Sequence, residues 1–523
     1  MKIVTAAQMA ELESLCPLSE EQLSENAGYR VASCIEKLEP AGPVVLLCGP
    51  GNNGADGMIA AFYLATEFSV DAQVILATDP EELRPLGRKA YRRLAETDVN
   101  LCVAGTKKYE RRLERLSEDD CLVDCLLGTG QKGPPKGDVA TVLDAAGGHE
   151  RVVAVDVPTG IDSDTGEALG PHAEPFLTLV LGYPKPYLFT NQGRLFAENW
   201  RLVPIGLVDE GDFDAPELIE GEMGWLIPSR TAFTNKRSSV LLTVAGSRRY
   251  PGAAALCAMA AARMGAGMVV VAGPDEGLGA VRSAVFESPL AILPSLDGEL
   301  SEDVDLLPLF EESDAITIGP GLGRGNGSRK AVEQVASSGR PAVFDGDALW
   351  QISQGGIPLA EGTSVLTPHS GEAARLLDMS AEAIDEDRFG SGRLLATKFG
   401  QTVVLKGLHP VVATPDGDVY VVPTGTPLLA TAGTGDVLAG MIGSLLAQGL
   451  RPTEAANLGC YIHGALAEIV SVRMGRRTYG ILASDLASEI PIVVALMRDS
   501  GLYPKCLELL APQPEEGTIE DQP

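Results

Sequence analysis

The stretch Thr431–Gly440 reads TAGTGDVLAG, and its core is Gly433-Thr434-Gly435-Asp436. An apolar run, Val437-Leu438-Ala439-Gly440-Met441-Ile442, follows at once, so a helix is expected to begin here. Glycine allows backbone angles that other residues resist and lets the main chain approach a ligand. The unpaired N–H groups and positive dipole end of such a helix make an anion hole. Asp436 then stands beside that hole. A proton acceptor next to donors for a phosphoryl group is what phosphorylating a hydroxyl requires. The alternative is a plain helix start, with Asp436 capping free N–H groups.

Working upstream, apolar runs end in polar or glycine-rich turns. Ile316–Ile318 leads into Gly319-Pro320-Gly321-Leu322-Gly323, and Pro341–Phe344 into Asp345-Gly346-Asp347. Val365-Leu366 leads into Thr367-Pro368-His369-Ser370-Gly371-Glu372, and Val403–Leu405 into Lys406-Gly407. Sites in open α/β sheets form beyond the carboxyl ends of strands. Together with GTGD these motifs resemble the ribokinase-like fold, and more closely the ADP-dependent NAD(P)H-hydrate dehydratase domain. The resemblance runs from about Trp225 to Leu510.

That resemblance implies that Ala253, Gly323, His369 and Asp436 face the hydrated dinucleotide. It implies that Lys406, Gly407, Leu408, His409, Pro410 and Gly435 face the adenine nucleotide. Asp436 would take the proton of the substrate hydroxyl as it attacks the terminal phosphoryl of ADP, with magnesium on the nucleotide phosphates. Loss of phosphate then restores NAD(P)H and leaves AMP. Glu372 is either a supporting partner or a plain helix-start glutamate. The family commonly carries His-Lys-Gly before the strand at Val240, where this chain has Thr234-Asn235-Lys236-Arg237-Ser238, without the glycine.

The first half has its own alternation. Strands are expected at Val44–Cys48, Gln73–Ala77, Leu101–Ala104, Cys121–Leu127, Val152–Val157 and Leu177–Leu181. Helices are expected within Thr5–Val31, broken at Cys16-Pro17, and at Met58–Phe68, Glu81–Glu96 and Asp138–Ala146. A parallel sheet covered on both faces follows. Three turns at strand ends carry polar side chains: Asn52-Asn53-Gly54-Ala55-Asp56; Asp124 with Gly128-Thr129-Gly130-Gln131-Lys132-Gly133-Pro134; and Asp156-Val157-Pro158-Thr159-Gly160. Convergence of Asn53, Asp124 and Thr159 would give hard oxygen ligands for a simple cation. The Gly128–Pro134 turn could cradle phosphate through N–H groups. No lysine follows the glycines of GPGNNGADG, so it is not a P-loop. Its side-chain-rich turn also argues against a dinucleotide fingerprint.

GPGNNGADG, VDCLLGTG and VDVPTG, in that order, resemble the NAD(P)H-hydrate epimerase domain over about Met1 to Asp212. By that resemblance Asn52–Asp56, Gly128–Pro134 and Asp156 contact the hydrated dinucleotide, and Asn53, Asp124 and Thr159 hold potassium. Asp156 is the candidate acid/base; the alternative is a turn residue capping Thr159-Gly160. The family usually has Gly where Ala55 stands, so Ala55 requires an ordinary backbone angle there. Lys185, in Tyr183-Pro184-Lys185-Pro186, is a candidate anion ligand or an exposed solvated lysine.

The expected architecture is therefore α/β in two domains. A Rossmann-like three-layer domain spans residues 1–212, a linker 213–224, and a ribokinase-like α/β domain 225–511. A mobile tail is expected over 512–523, which lacks an apolar pattern. At 523 residues the chain is long for a single core, and 45% hydrophobic content with 59 glycines fits globular α/β protein. A net charge of −30 argues against nucleic acid as a partner. The nine cysteines show no zinc or disulfide spacing. Ala253–Gly273, interrupted by Arg263 and two glycines, reads as a helix and the strand Met268–Ala272 rather than a membrane span. A cytoplasmic protein without a membrane partner, acting on NADHX, NADPHX and ADP, and a homo-oligomer, is expected.

Two other classes stay open on the residues. GTGD serves equally a ribokinase-like small-molecule kinase with a regulatory nucleotide-binding domain. The first half could also be a binding module that only senses nucleotide.

Overall fold

A computed structural model describes residues 1–197, 199–207, 213–219, 223–475 and 479–499. The expected tail at 512–523 and part of the expected linker lie outside the described residues. The chain divides into two compact units, Met1–Ala215 and Pro216–Pro523.

The first unit opens with helices α1 (Ala6–Leu15) and α2 (Glu20–Glu36). Thr5 and Ser19 cap them, each bonded reciprocally with a glutamine three residues on. There follow β1 (Val44–Cys48), α3 (Asn52–Thr66), β2 (Ala72–Leu76), α4 (Pro85–Ala95), β3 (Asn100–Val103) and α5 (Lys107–Leu113). Then come β4 (Cys121–Cys125), α6 (Gly137–Ala146), β5 (Val152–Val155), β6 (Leu177–Leu181) and β7 (Trp200–Val203). All seven strands are parallel, in the order β3-β2-β1-β4-β5-β6-β7. The order reverses between β1 and β4, the place where a crevice opens in such sheets. Alternation splits each central strand between two cores. Val44, Leu46 and Cys48 face one helical layer, and Val45 and Leu47 the other.

Helix α3 starts at Asn52, six residues before the expected Met58. The turn GPGNNGADG is thus mostly helix, with Gly51 as its N-cap. A Cβ at Gly57 would come 2.7 Å from Cys125 Cβ, so glycine here lets α3 lie close on the sheet.

The second unit begins with β8 (Glu217–Leu218), inside the stretch read as linker. Next come β9 (Val240–Val244), α7 (Pro251–Arg263), β10 (Met268–Gly273), α8 (Gly279–Ala284), β11 (Leu290–Ile292) and the hairpin β12 (Ser295–Leu296)–β13 (Glu299–Leu300). They are followed by α9 (Leu307–Phe310), β14 (Ala315–Ile318), α10 (Asn326–Ser337), β15 (Ala342–Phe344), α11 (Asp347–Ser353), β16 (Ser364–Leu366), α12 (Ser370–Leu377), α13 (Ala381–Glu386) and α14 (Arg388–Phe399). The unit closes with β17 (Thr402–Leu405), β18 (Val411–Ala413), β19 (Val419–Val421), α15 (Thr434–Ala447), α16 (Pro452–Arg473) and α17 (Ala483–Asp499). Its sheet has the order β11-β10-β9-β14-β15-β16-β17-β18-β19-β8. It is parallel from β11 to β17; β18 then pairs antiparallel with both β17 and β19. Glu217 and Leu218 pair with Tyr420 and Val421, making β8 an edge strand.

Helix α15 is buried along all of its length except Gly435 and Asp436, in its first turn. It packs against α7, where a Cβ at Gly440 would meet the Cys257 carbonyl at 2.2 Å. Its N-cap Gly433 has φ of +93°, a left-handed angle that favours glycine. Helix α16 is long and apolar enough to cross a membrane, but 89% of that window is buried inside the unit.

Candidate functional sites

Each unit gathers its polar residues at the carboxyl ends of its parallel strands. In the first, a cavity of about 820 Å³ opens beyond β1, β4 and β5. Its walls include Asn52, Asn53, Asp56, Gly128–Lys132 and Asp156, together with Glu13 and Ser24 from α1 and α2. Gly54, Ala55, Gly133 and Pro134 are not in its lining. Ala55 is instead packed in the core, at an ordinary helical angle.

Three oxygen-bearing side chains come from the first turn of α3, the end of β4 and the turn after β5. Asp124, at the end of β4, accepts from the Thr159 hydroxyl at 2.7 Å, the Thr159 N–H at 2.8 Å and the Leu126 N–H at 3.1 Å. Burial pushes the Asp124 carboxyl up, against the lowering effect of those donors. Asn53 donates to the Leu127 and Val155 carbonyls at 2.9 and 3.1 Å. Its amide oxygen Oδ1 is buried and accepts no hydrogen bond. A buried acceptor without a donor is costly, and a cation is one thing that would satisfy it. Gln131 ties the Gly128 turn down, donating to the Ile161 carbonyl and accepting from the Gly160 N–H.

Asp156 follows β5 with φ of +70°, rare for a residue with a side chain. Its N–H donates to the Leu179 carbonyl at 2.7 Å, and its own carbonyl accepts from the Tyr187 hydroxyl at 3.2 Å. Since Asp124 and Gln131 take the Thr159 and Gly160 N–H groups, Asp156 caps neither. Its Oδ1 accepts from Lys185 Nζ. Lys185 is wholly buried, not the exposed lysine that one reading expected. Burial holds Asp56 well above the ordinary carboxylate range, with the charges of Asp156 and Glu13 adding to it and the Ser24 hydroxyl opposing. Burial, then Asp156, also raises Glu13.

In the second unit Lys406, Asp345, Thr367 and Glu372 meet beyond β15, β16 and β17. Lys406 Nζ donates to Asp345 Oδ1 at 2.7 Å and stands 3.8 Å from Glu372. Burial works against the ammonium, but Asp345 and Glu372 outweigh it and hold Lys406 above the ordinary lysine value. The Thr367 hydroxyl donates to the same Asp345 oxygen at 2.7 Å. A Cβ at Gly435 would stand 3.6 Å from Lys406 Nζ, so the entrance of α15 opens directly beside this cation.

Asp436 is the third residue of α15, while Gly433 is its N-cap. Burial, then the charge of Asp345, pushes the Asp436 carboxyl up to about 7, with Lys406 opposing. His369 caps α12 through Nδ1, which accepts from the Gly371 N–H at 3.0 Å. That bond needs a lone pair on Nδ1, and the lowered pKa, from burial first, keeps the ring neutral. Glu372 completes this cap by accepting from the His369 N–H at 2.9 Å. It is therefore both the helix-start glutamate and a neighbour of Lys406.

The other expected contacts are more dispersed. Gly323 is buried; its N–H donates to Asp347 at 2.9 Å, and Glu299 closes on its other side. Ala253 sits against Gly321. Leu408 and His409 are half-buried and Pro410 is buried, in the turn between β17 and β18. Arg388 braces the start of that turn, donating to the carbonyls of Leu405 and Lys406 at 3.0 and 3.1 Å. Thr234–Ser238 is exposed.

The partners of these residues went unassigned in the sequence. Asp345 was visible as an acid after a strand. Ser24 lies in Leu23–Gly28, LSENAG, a helical phrase that resembles a feature of the epimerase family, and Glu13 lies on a helix remote in sequence with no local signal.

A family profile described as NAD(P)H-hydrate dehydratase matches residues 241–492, and one described as YjeF-related protein N-terminus matches residues 20–187. The bifunctional NAD(P)H-hydrate repair enzyme Nnr of Moorella thermoacetica is 35% identical, over 94% of this chain and 97% of that protein. The enzyme of the same name from Escherichia coli is 32% identical, over 86% and 84%. Among solved structures, the ADP/ATP-dependent NAD(P)H-hydrate dehydratase of Bacillus subtilis, co-crystallised with ATP/Mg2+, is 30% identical. It covers 54% of this chain and 99% of its own, with a TM-score of 0.48.

Proposed function

This chain belongs to the family of bifunctional NAD(P)H-hydrate repair enzymes, and on that premise we propose which of its residues carry each half of the repair. It is an epimerase and an ADP-dependent dehydratase in one chain. The first activity interconverts the R and S hydrates; the second returns the S hydrate to NAD(P)H.

The dehydratase assignment is carried by one observation: Asp436 stands in the first turn of α15, whose entrance at Gly435 opens beside Lys406, and its carboxyl is pushed up to about 7. A base whose pKa lies near working pH is half ionised and still a useful proton acceptor. Asp436 takes the proton of the carbinolamine hydroxyl as its oxygen attacks the terminal phosphorus of ADP. AMP leaves. The hydrate's original C–O bond then breaks, the departing phosphate carries the bond's electrons away, and loss of a ring proton restores the double bond. Phosphate departs far more readily than hydroxide, which is the sense of the detour. The N–H groups at Gly435 and the Lys406 ammonium face the charge that builds on the phosphoryl oxygens. Magnesium, when bound with the nucleotide, neutralises phosphate charge. Asp345 makes its two side-chain contacts through Oδ1, leaving Oδ2 to meet such an ion.

In the first unit we assign proton transfer at the carbinolamine oxygen to Asp156. The hydroxyl leaves with a proton as water, the ring nitrogen stabilises the cation, and water returning to the opposite face gives the proton back. Asn53, Asp124 and Thr159 would hold potassium. The unsatisfied Asn53 Oδ1, together with the buried Asp124–Thr159 pair, supports that fit. When bound, the ion would supply positive charge beside the Asp124 carboxylate.

Two substitutions test the assignment. Asp436→Asn should stop dehydration while ADP still binds; Asp156→Asn should stop epimer exchange and leave dehydration of the S hydrate intact. Equal loss of both activities from either change would overturn it. A stable phosphorylated product in place of free phosphate and NADH would favour the kinase alternative.

A further inference from the structure

We infer that Lys185 is a positioning residue of the epimerase, holding Asp156 so that one carboxylate oxygen faces the cavity. This rests on the assignment of Asp156 as the proton-transfer group.

Lys185 is 0% exposed, yet its amine is within hydrogen-bond reach of a carboxylate. Its Nζ donates to Asp156 Oδ1 at 2.5 Å and to the Leu181 carbonyl at 2.7 Å. Asp156 and Leu181 both line the cavity, whereas Lys185 is not in its lining. The other oxygen, Oδ2, points toward the Gly128 turn, where an added Cβ would meet it at 3.4 Å. One oxygen is thus engaged by Lys185 and the other is presented to the space between the two glycine-rich turns.

The chain takes trouble to place this ammonium. Gly182 turns the backbone at φ +70°, and Pro184 and Pro186 stiffen the residues on either side of Lys185. Before Pro186, Lys185 is held extended, at φ −107° and ψ 155°. The Pro184 carbonyl is pinned by the Val4 N–H at 2.9 Å. The side chain therefore reaches back to the end of the preceding strand, β6. A buried ion pair that only filled that space could be replaced by packed apolar side chains with little loss of stability, because charge is costly to bury. A lysine kept there, against a residue whose own backbone is left-handed, reads as a device to hold that residue's carboxylate still.

The test uses the full chain with R hydrate, following epimer exchange without ADP by chromatography of the two epimers. Lys185→Met keeps the length of the stem and removes the charge. It should lower kcat about 100-fold while KM stays within about threefold. Lys185→Arg, which restores the charge, should recover at least tenfold of that loss. A wild-type rate in Lys185→Met, or a loss confined to KM, overturns the inference. So does a Lys185→Arg variant as slow as Lys185→Met. Asp156→Asn separates the two claims: if it still exchanges epimers, the assignment of Asp156 fails; if it does not while Lys185→Met does, only the role of Lys185 fails.

Discussion

Lys406 at the end of β17 and Asp345 at the end of β15, two strands away, share a 2.7 Å ion pair beside the entrance of α15. Asp345 is 3% exposed, so the ammonium is the charge that makes its burial tolerable. Removing Lys406 acts twice: on the phosphoryl site and on the carboxylate left behind. Lys406→Met should lower kcat/KM for ADP about 100-fold, roughly 2.7 kcal/mol. It should also destabilise the second unit by about 3 kcal/mol, measured by chemical denaturation. Asp345→Asn in the same background should recover part of the stability but none of the activity.

The pH dependence follows from Asp436. Its carboxyl is raised from 3.8 to about 7, so below pH 7 the base is protonated. Dehydration kcat/KM should fall about tenfold per pH unit beneath that value and level off above it. Stability runs the opposite way. A carboxyl raised on folding makes the protein less stable as pH climbs from 3.8 toward 7, since the unfolded chain ionises first. Asp436→Asn should therefore melt higher than wild type at pH 8, by a margin that narrows as the pH is lowered toward 3.8.

Potassium should matter to one activity through one site. Replacing it with tetramethylammonium should slow epimer exchange about tenfold or more, the equivalent of roughly 1.4 kcal/mol. Dehydration of the S hydrate, started from purified S epimer, is the internal control and should change less. Thr159→Val, which removes the hydroxyl bonded to Asp124, should raise the potassium needed for half-maximal exchange about 10–100-fold. Exchange indifferent to the ion would remove Asn53, Asp124 and Thr159 from this role.

Much of the frame was legible in the sequence because buried parallel strands are short apolar runs with polar turns behind them. Val44–Cys48 and Leu177–Leu181 begin and end where expected. The start of α3 was not legible: two asparagines and four glycines read as a turn, but packing of α3 against β1 and the neighbouring helix α2 overrides weak helix propensity. Strand β8 escaped notice because its two residues are ordered by pairing with β19, some 200 residues away in sequence. Lys185 looked like a surface lysine because nothing local shows that the chain folds its ammonium back to the end of β6, onto Asp156. The partners of a charged group are set by topology. Sequence spacing does not display them.

Repair of both hydrates requires two chemically distinct sites acting in turn within one chain. The most direct measurement supplies purified R hydrate of NADH with the chain, ADP, magnesium and potassium, and follows absorbance at the NADH band alongside AMP and phosphate. The account predicts full recovery of NADH, one AMP and one phosphate for each hydrate, and none when Asp156→Asn replaces the wild-type chain on the time scale of its turnover. Recovery from the S hydrate alone, with the R hydrate left untouched by the wild-type chain, would contradict it.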